Sequence, residues 1–150
     1  MTTGQEFPTL LQTVLDTTDA RGLAEFYRQL LGWEYRPGDE PPPAGAPDPR
    51  GSDWLVLRNP AGSAHVAFQQ VSELPEASWP ANTPHPQQLH LDLYVHSVAE
   101  LGRQHERALG LGARLRLDRT DDPAEPLYVY ADPAGHPFCI FVGPPAQSQP

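Results

Sequence analysis

The chain predicts an α+β fold: two tandem βαβββ modules whose curved mixed sheets form half-barrels around a central cleft. Three observations predict it. The order strand-helix-strand-strand-strand occurs twice, the two copies share residues at fixed offsets, and each helix carries an apolar stripe that suits packing on a sheet. At 150 residues the chain is one domain, long enough for a core. Its modules are read at 8–72 and 87–143, with a Pro-rich connector at 73–86.

The first strand spans Leu10 to Thr17, with Leu11, Thr13, Leu15 and Thr17 on one face and Gln12, Val14 and Asp16 on the other. Asp19 caps a helix whose apolar positions Leu23, Phe26, Tyr27, Leu30 and Leu31 recur at helical spacing, and Gly32 ends it. Gly22 costs that helix roughly 1 kcal/mol relative to Ala, so packing has to hold it. A short strand at Trp33 to Arg36 leads into a Pro- and Gly-rich loop, 37–52, a candidate lid. Strands at Asp53–Arg58 and His65–Val71 flank Asn59-Pro60-Ala61-Gly62, the chemistry of a type I turn.

The second copy opens on Gln88 to Tyr94, which alternates strictly. His90, Asp92 and Tyr94 share one side, with Leu89, Leu91, Leu93 and Val95 on the other. Ser97 and Glu100 form a capping box for a helix running to Gly110. Strands follow at Ala113–Leu117, Leu127–Ala131 and Phe138–Val142, separated by the acidic loop 118–126 and the turn Asp132-Pro133-Ala134-Gly135. The Pro-Pro-Ala-Gln-Ser-Gln-Pro tail is expected to be loose.

Charge and composition exclude some partners. There are 19 acidic against 10 basic residues, a net charge of −9, and all the basic ones are arginine. Nucleic acid and anionic membrane surfaces are therefore not expected partners. The single Cys rules out an internal disulfide and fits a reducing compartment. No run approaches membrane-spanning length and the first residues lack a signal pattern, so a cytoplasmic location is expected.

Shifted by 78, Leu11, Leu15, Leu23, Leu31 and Gly32 fall on Leu89, Leu93, Leu101, Leu109 and Gly110. Shifted by 73, Pro60, Ala61, Gly62 and Phe68 fall on Pro133, Ala134, Gly135 and Phe141. On these offsets Gln12 matches His90 and Val66 matches Cys139. Those four positions are expected to converge on a hollow between the uncovered sheet faces.

The duplicated βαβββ order, the Asp19…Phe26-Tyr27…Leu31-Gly32-Trp33 segment, the Leu-His-Leu-Asp-Leu strand and the Asp-Pro-Ala-Gly-His-Pro-Phe-Cys-Ile-Phe ending resemble the vicinal oxygen chelate superfamily. That group includes glyoxalase I, bleomycin-resistance proteins and extradiol dioxygenases, and the chain looks most like its small glyoxalase-like domains. The resemblance covers about residues 8 to 143 and implies fold more than activity.

Metal-using members place His or Gln on the first strand of each half and Glu on the last. Carried across, the resemblance implies Gln12, Val66, His90 and Cys139, without either carboxylate. Valine cannot coordinate, and cysteine does so only as thiolate, which favours zinc over magnesium or manganese. The expectation is no cofactor; the alternative is a divalent metal, zinc or another transition metal, held by His90, Gln12 and Cys139.

The expected function is binding of a small organic ligand, aromatic or cationic, in the hollow. Val66, Phe68, Tyr94, Cys139 and Phe141 would line it, with Gln12, His90 and Asp92 as polar contacts. The alternative is an enzyme of the same superfamily, a glyoxalase-type lyase, isomerase or dioxygenase. It would use His90 with a metal or, as an acid/base pair, His90 with Asp92. A third reading is an interaction module whose hollow is plugged by the 37–52 loop or Trp79. Module pairing within one chain and exchange across a homodimer both fit the pattern.

Overall fold

A computed structural model describes residues 7–62, 64–78 and 84–143. Trp79 and the C-terminal tail from 144 lie outside the described residues. The first module comprises β1 (Gln12–Thr17), α1 (Ala20–Leu31), β2 (Glu34–Tyr35), β3 (Trp54–Arg58) and β4 (His65–Gln70). The second comprises β5 (Leu91–Val95), α2 (Val98–Leu111), β6 (Arg114–Asp118), β7 (Leu127–Ala131) and β8 (Pro137–Val142). Each module forms an open four-stranded mixed sheet, in the orders β1-β4-β3-β2 and β5-β8-β7-β6. The first and last strands of each module pair in parallel, and the other neighbours are antiparallel. The duplicated α+β architecture is the one the sequence predicts. Among the described residues no helix is long and apolar enough to cross a membrane.

The helices form where caps and apolar stripes coincide. Asp19 Oδ1 accepts from the Gly22 amide at 3.0 Å, and a Cβ on Gly22 would sit 2.2 Å from that carboxylate. Gly22 thus makes room for the cap, which explains a residue that propensity alone disfavours. Leu23, Phe26, Tyr27 and Leu30 are buried beneath α1. Ser97 caps α2 by accepting from the Glu100 amide at 3.1 Å. The helix then runs past the expected stop at Gly110 to Leu111, because the left-handed residue that closes it is Gly112. Several strands are shorter than expected, β1 and β5 among them. Leu10 and Leu11 precede β1 and are exposed, and His90 sits just before β5.

The modules are joined through their helix-covered sides. One apolar cluster contains Leu15, Phe68 and the α1 stripe together with Leu101, Ala108, Tyr130, Phe138 and Ile140. Phe138 of β8 meets Phe26 and Tyr27 of α1 edge-on, with ring centres 5.9 and 6.1 Å apart. The Tyr27 hydroxyl donates to Asp132 Oδ2 at 2.6 Å in the buried seam. Arg107 of α2 reaches the Gln29 carbonyl at 2.7 Å, and His136 Nε2 donates to the Asp16 carbonyl at 2.6 Å.

Strand register corrects two expected positions. Thr13 pairs with Val66 and Leu15 with Phe68, whereas Leu91 pairs with Phe138 and Leu93 with Ile140. Val66 therefore corresponds to Phe138, and Cys139 corresponds to Ala67. The connection between β3 and β4 holds one residue more than that between β7 and β8, so an offset read from the turns slips by one in the strands. A slip of one residue moves a side chain to the opposite face. Val66 (6 % exposed) and Phe68 lie in the core against the helices, not on an open sheet face.

The 37–52 loop is strapped to the first module. Arg21 grips Asp48 with two bonds of 2.8 and 3.0 Å and donates to the Asp39 carbonyl at 2.7 Å. The fully buried Asp39 carboxylate accepts from Arg36, from Arg50 at 2.7 Å and from the Val56 amide at 2.9 Å. The same loop read as a candidate lid has its polar groups committed to the scaffold.

Candidate functional site

Two places in the fold gather chemistry. The first is a cleft of about 570 Å³ at the seam between modules. Its floor is the open face of the first sheet at Val14, Asp16 and Gln69, where Asp16 and Gln69 are register partners on β1 and β4. Its far wall is the β7–β8 turn, Ala134 to Pro137. The connector supplies the rest, with Leu74, Pro75, Pro84, His85 and Pro86 leading into Gln87–Leu89.

The connector is held there by named contacts. Glu76 pairs with Arg114 and Arg116 of β6. Gly135 adopts φ +94°, and a Cβ at that position would lie 2.7 Å from Glu76 Cγ. Only glycine both takes that backbone shape and lets the connector approach so closely. Ser78 donates through its amide to the His85 carbonyl at 2.9 Å. Prolines and leucines supply much of the apolar wall, and the polar lining residues are Asp16, Gln69, His85, Gln87, Gln88 and His136. An apolar cleft with a few convergent polar groups is the ordinary form of a small-molecule site.

The second place is the open face of the other sheet. A His90 ring nitrogen, an Asp92 oxygen and Cys139 Sγ lie within 4.8 Å of one another. His90 Nε2 is 3.3 Å from Asp92 Oδ1, and its Nδ1 is 3.1 Å from Gln87 Oε1. Asp92 and Cys139 are register partners on β5 and β8, which is why they meet. Burial, and then the Asp92 carboxylate, push the Cys139 thiol up to about 11. Next along the same face, Tyr94 (59 % exposed) and Phe141 lie with ring centres 6.5 Å apart.

The structure thus brings together His90, Asp92 and Cys139, and places Tyr94 and Phe141 beside them. It separates Val66 and Phe68 from them by turning both into the core. Gln12 starts β1 on the open face of the first sheet, opposite His65. None of Gln12, Val66, His90 or Cys139 lines the seam cleft. Sequence reasoning passed over the connector residues that do. The one available signal was the prolines themselves, which stiffen a segment into a wall as readily as they mark a linker.

A metal implied by the resemblance meets a mixed donor set. Nitrogen, oxygen and sulfur from His90, Asp92 and Cys139 suit zinc, which takes all three at tetrahedral sites. They do not suit magnesium or calcium, which want oxygen cages. Of the four positions the family pattern implies, Val66 offers no donor atom and Gln12 is not part of the cluster.

Comparisons with known proteins agree on the fold. A fosfomycin resistance protein, FosX, from Mesorhizobium loti superposes with a TM-score of 0.63 at 17 % identity, covering 92 % of this chain and 94 % of that one. A lactoylglutathione lyase from Agrobacterium tumefaciens superposes at 0.56 and 16 % identity, covering 91 % and 95 %. A glyoxalase/bleomycin resistance protein/dioxygenase family enzyme from Burkholderia phytofirmans superposes at 0.62 and 16 % identity, covering 87 % and 95 %. At such identities the likeness speaks for fold alone. A search of curated proteins returned no match. The family model for the glyoxalase-like domain matches residues 12–141, nearly the whole of both modules, and the chain belongs to that family.

Proposed function

We propose that the protein binds a small organic molecule, planar and cationic or aromatic, in the seam cleft, without a complete metal site of the family kind. The cleft's volume and lining support this reading above all. About 570 Å³ suits a drug-sized ligand, and the apolar walls leave the Asp16 carboxylate as the fixed charge at the floor. Proline and leucine surfaces would hold the flat body of the ligand while Asp16 and Gln69 orient its polar end. The test is calorimetric titration against a panel of basic aromatic compounds. At least one is expected to bind, and Asp16→Asn is expected to weaken it about tenfold, the loss of one charge-assisted contact. Silence across the panel, or unchanged binding by Asp16→Asn, would remove this reading.

A second reading rests on the His90–Asp92–Cys139 cluster. These three residues would hold zinc, and a bound zinc would supply a Lewis acid for chemistry of the lyase, isomerase or dioxygenase kind. The chain's own part is to present Asp92 and Cys139 from paired strands and to hold the imidazole through Gln87. Without metal, His90 and Asp92 still form a candidate acid/base pair. Purified protein is expected to take up one zinc per chain under this reading and to lose it in Cys139→Ser; uptake below stoichiometry would end it.

A further inference from the structure

Among the described residues, every arginine except Arg58 and Arg107 has a carboxylate within ion-pair reach. Arg107 donates instead to Gln104 and to the Gln29 carbonyl. Arg58 has neither kind of partner among the described residues. In a chain with 19 acidic and 10 basic residues, a guanidinium without a counter-charge is unexpected.

Its surroundings share the same unmet demand. Arg58 ends β3 and pairs in register with His65 of β4, which in turn pairs with Gln12 of β1. Directly opposed residues point to the same face, with Cβ atoms about 5 Å apart. The three side chains therefore form one row across three strands of the first sheet's open face. His65 Nδ1 is buried and has no hydrogen-bond partner. Buried polar atoms are normally satisfied, so an unmet imidazole beside an unmet guanidinium calls for an explanation.

A guanidinium fork, an imidazole and a carboxamide in one row complement an acceptor-rich anion. We infer that the Gln12–His65–Arg58 row binds an oxyanion carried by a small molecule: a phosphate, phosphonate, sulfonate or carboxylate group. Arg58 supplies the charge and a bidentate grip, the unpartnered His65 Nδ1 donates, and the Gln12 amide donates from the far side. The row is separate from the seam cleft. Asp16, at the cleft floor, is four residues further along β1, about 13 Å by strand rise, and carries the opposite charge. Glu34 of β2 pairs in register with Arg58 without forming an ion pair among the described residues, so its carboxylate opposes an incoming anion. That opposition gives the inference a second, oppositely signed test.

The experiment is NMR of the Arg58 Nε–H and His65 ring signals in the full chain. Inorganic phosphate, sulfate and acetate are added at constant ionic strength set by chloride. A saturable shift of both signals is expected with at least one of the three. Saturation by phosphate or sulfate alone assigns a tetrahedral oxyanion; saturation by acetate as well admits carboxylates to the same site. Arg58→Gln and His65→Gln are each expected to weaken binding about tenfold or more, and Arg58→Lys less, because it keeps the charge and loses the fork. Glu34→Gln is expected to tighten binding, and Arg103→Gln, on the exposed face of α2, to leave it unchanged. Arg58 is exposed, so its variants test binding without testing the core. Shifts that rise linearly with every added salt, or that survive undiminished in Arg58→Gln, would overturn the inference.

Discussion

Asp132→Ala is expected to destabilise the fold by about 3–5 kcal/mol, read from urea denaturation at neutral pH. Asp132 is 0 % exposed and serves three donors: the Tyr27 hydroxyl at 2.6 Å and the amides of Ala134 and His136 at 2.8 and 3.0 Å. Alanine would strand all three in the seam between modules. Asp132→Asn keeps an acceptor for the two amides and presents its own N–H groups to the phenol oxygen, so a smaller loss is expected.

The same residue makes a pH prediction. Burial raises the Asp132 carboxyl above its ordinary value, and the Tyr27 hydrogen bond offsets this only in part. A folded-state value above the unfolded one means that the folded protein holds this proton more tightly. The group's contribution is then fully present below the unfolded value and is lost as pH rises through the folded one. The stability of wild type minus that of Asp132→Asn should therefore fall as pH climbs from about 4 through the weakly acidic range. Taking the difference removes the other carboxylates from the comparison. A difference that stays level with pH, or rises, would show that the seam does not raise this carboxyl.

Phe138→Ala is expected to cost about 3–5 kcal/mol, the usual range for emptying a buried aromatic site. Phe138 is fully buried, stacks on Tyr130 at 5.0 Å, and meets both Phe26 and Tyr27 across the module boundary. The register correction adds a comparison. Val66 packs in the same shared core, so Val66→Ala should cost about 2 kcal/mol. Cys139 lies in a small separate cluster with Leu127 and Val129, so Cys139→Ala should cost less than Val66→Ala. Equal costs for the two would argue that they do sit in equivalent places, as the turn-based offset supposed.

That offset shows how far the sequence carries. Alternation in Leu-His-Leu-Asp-Leu-Tyr and the helical stripe Leu23–Phe26–Tyr27–Leu30 are properties of single elements, and they placed the strand core from Leu91, its two faces and the buried side of α1. The duplication was legible for the same reason: caps and turns recur wherever the backbone geometry recurs. Matching Val66 to Cys139 failed because it joined a turn to a strand across a one-residue difference in hairpin length, which the local pattern does not record. His90, Asp92 and Cys139 could be brought together from sequence because two of them are strand neighbours. The seam cleft could not, since its walls are a connector whose path depends on Glu76 reaching β6 and on Gly135 yielding space. The role of Asp132 was hidden in a similar way. Its turn chemistry was plain, but its bond to Tyr27 joins residues 105 apart in sequence.

The central claim is that a ligand sits between the open face of the first sheet and the proline-rich segment crossing it. Backbone amide NMR, following the compound that titrates, tests this most directly. Shifts gathered at Val14, Asp16, Gln69, Leu74 and Ala134–Gly135 are the predicted result. Shifts confined to Asp92, Tyr94 and Cys139 would contradict the account and move the binding site to the other sheet.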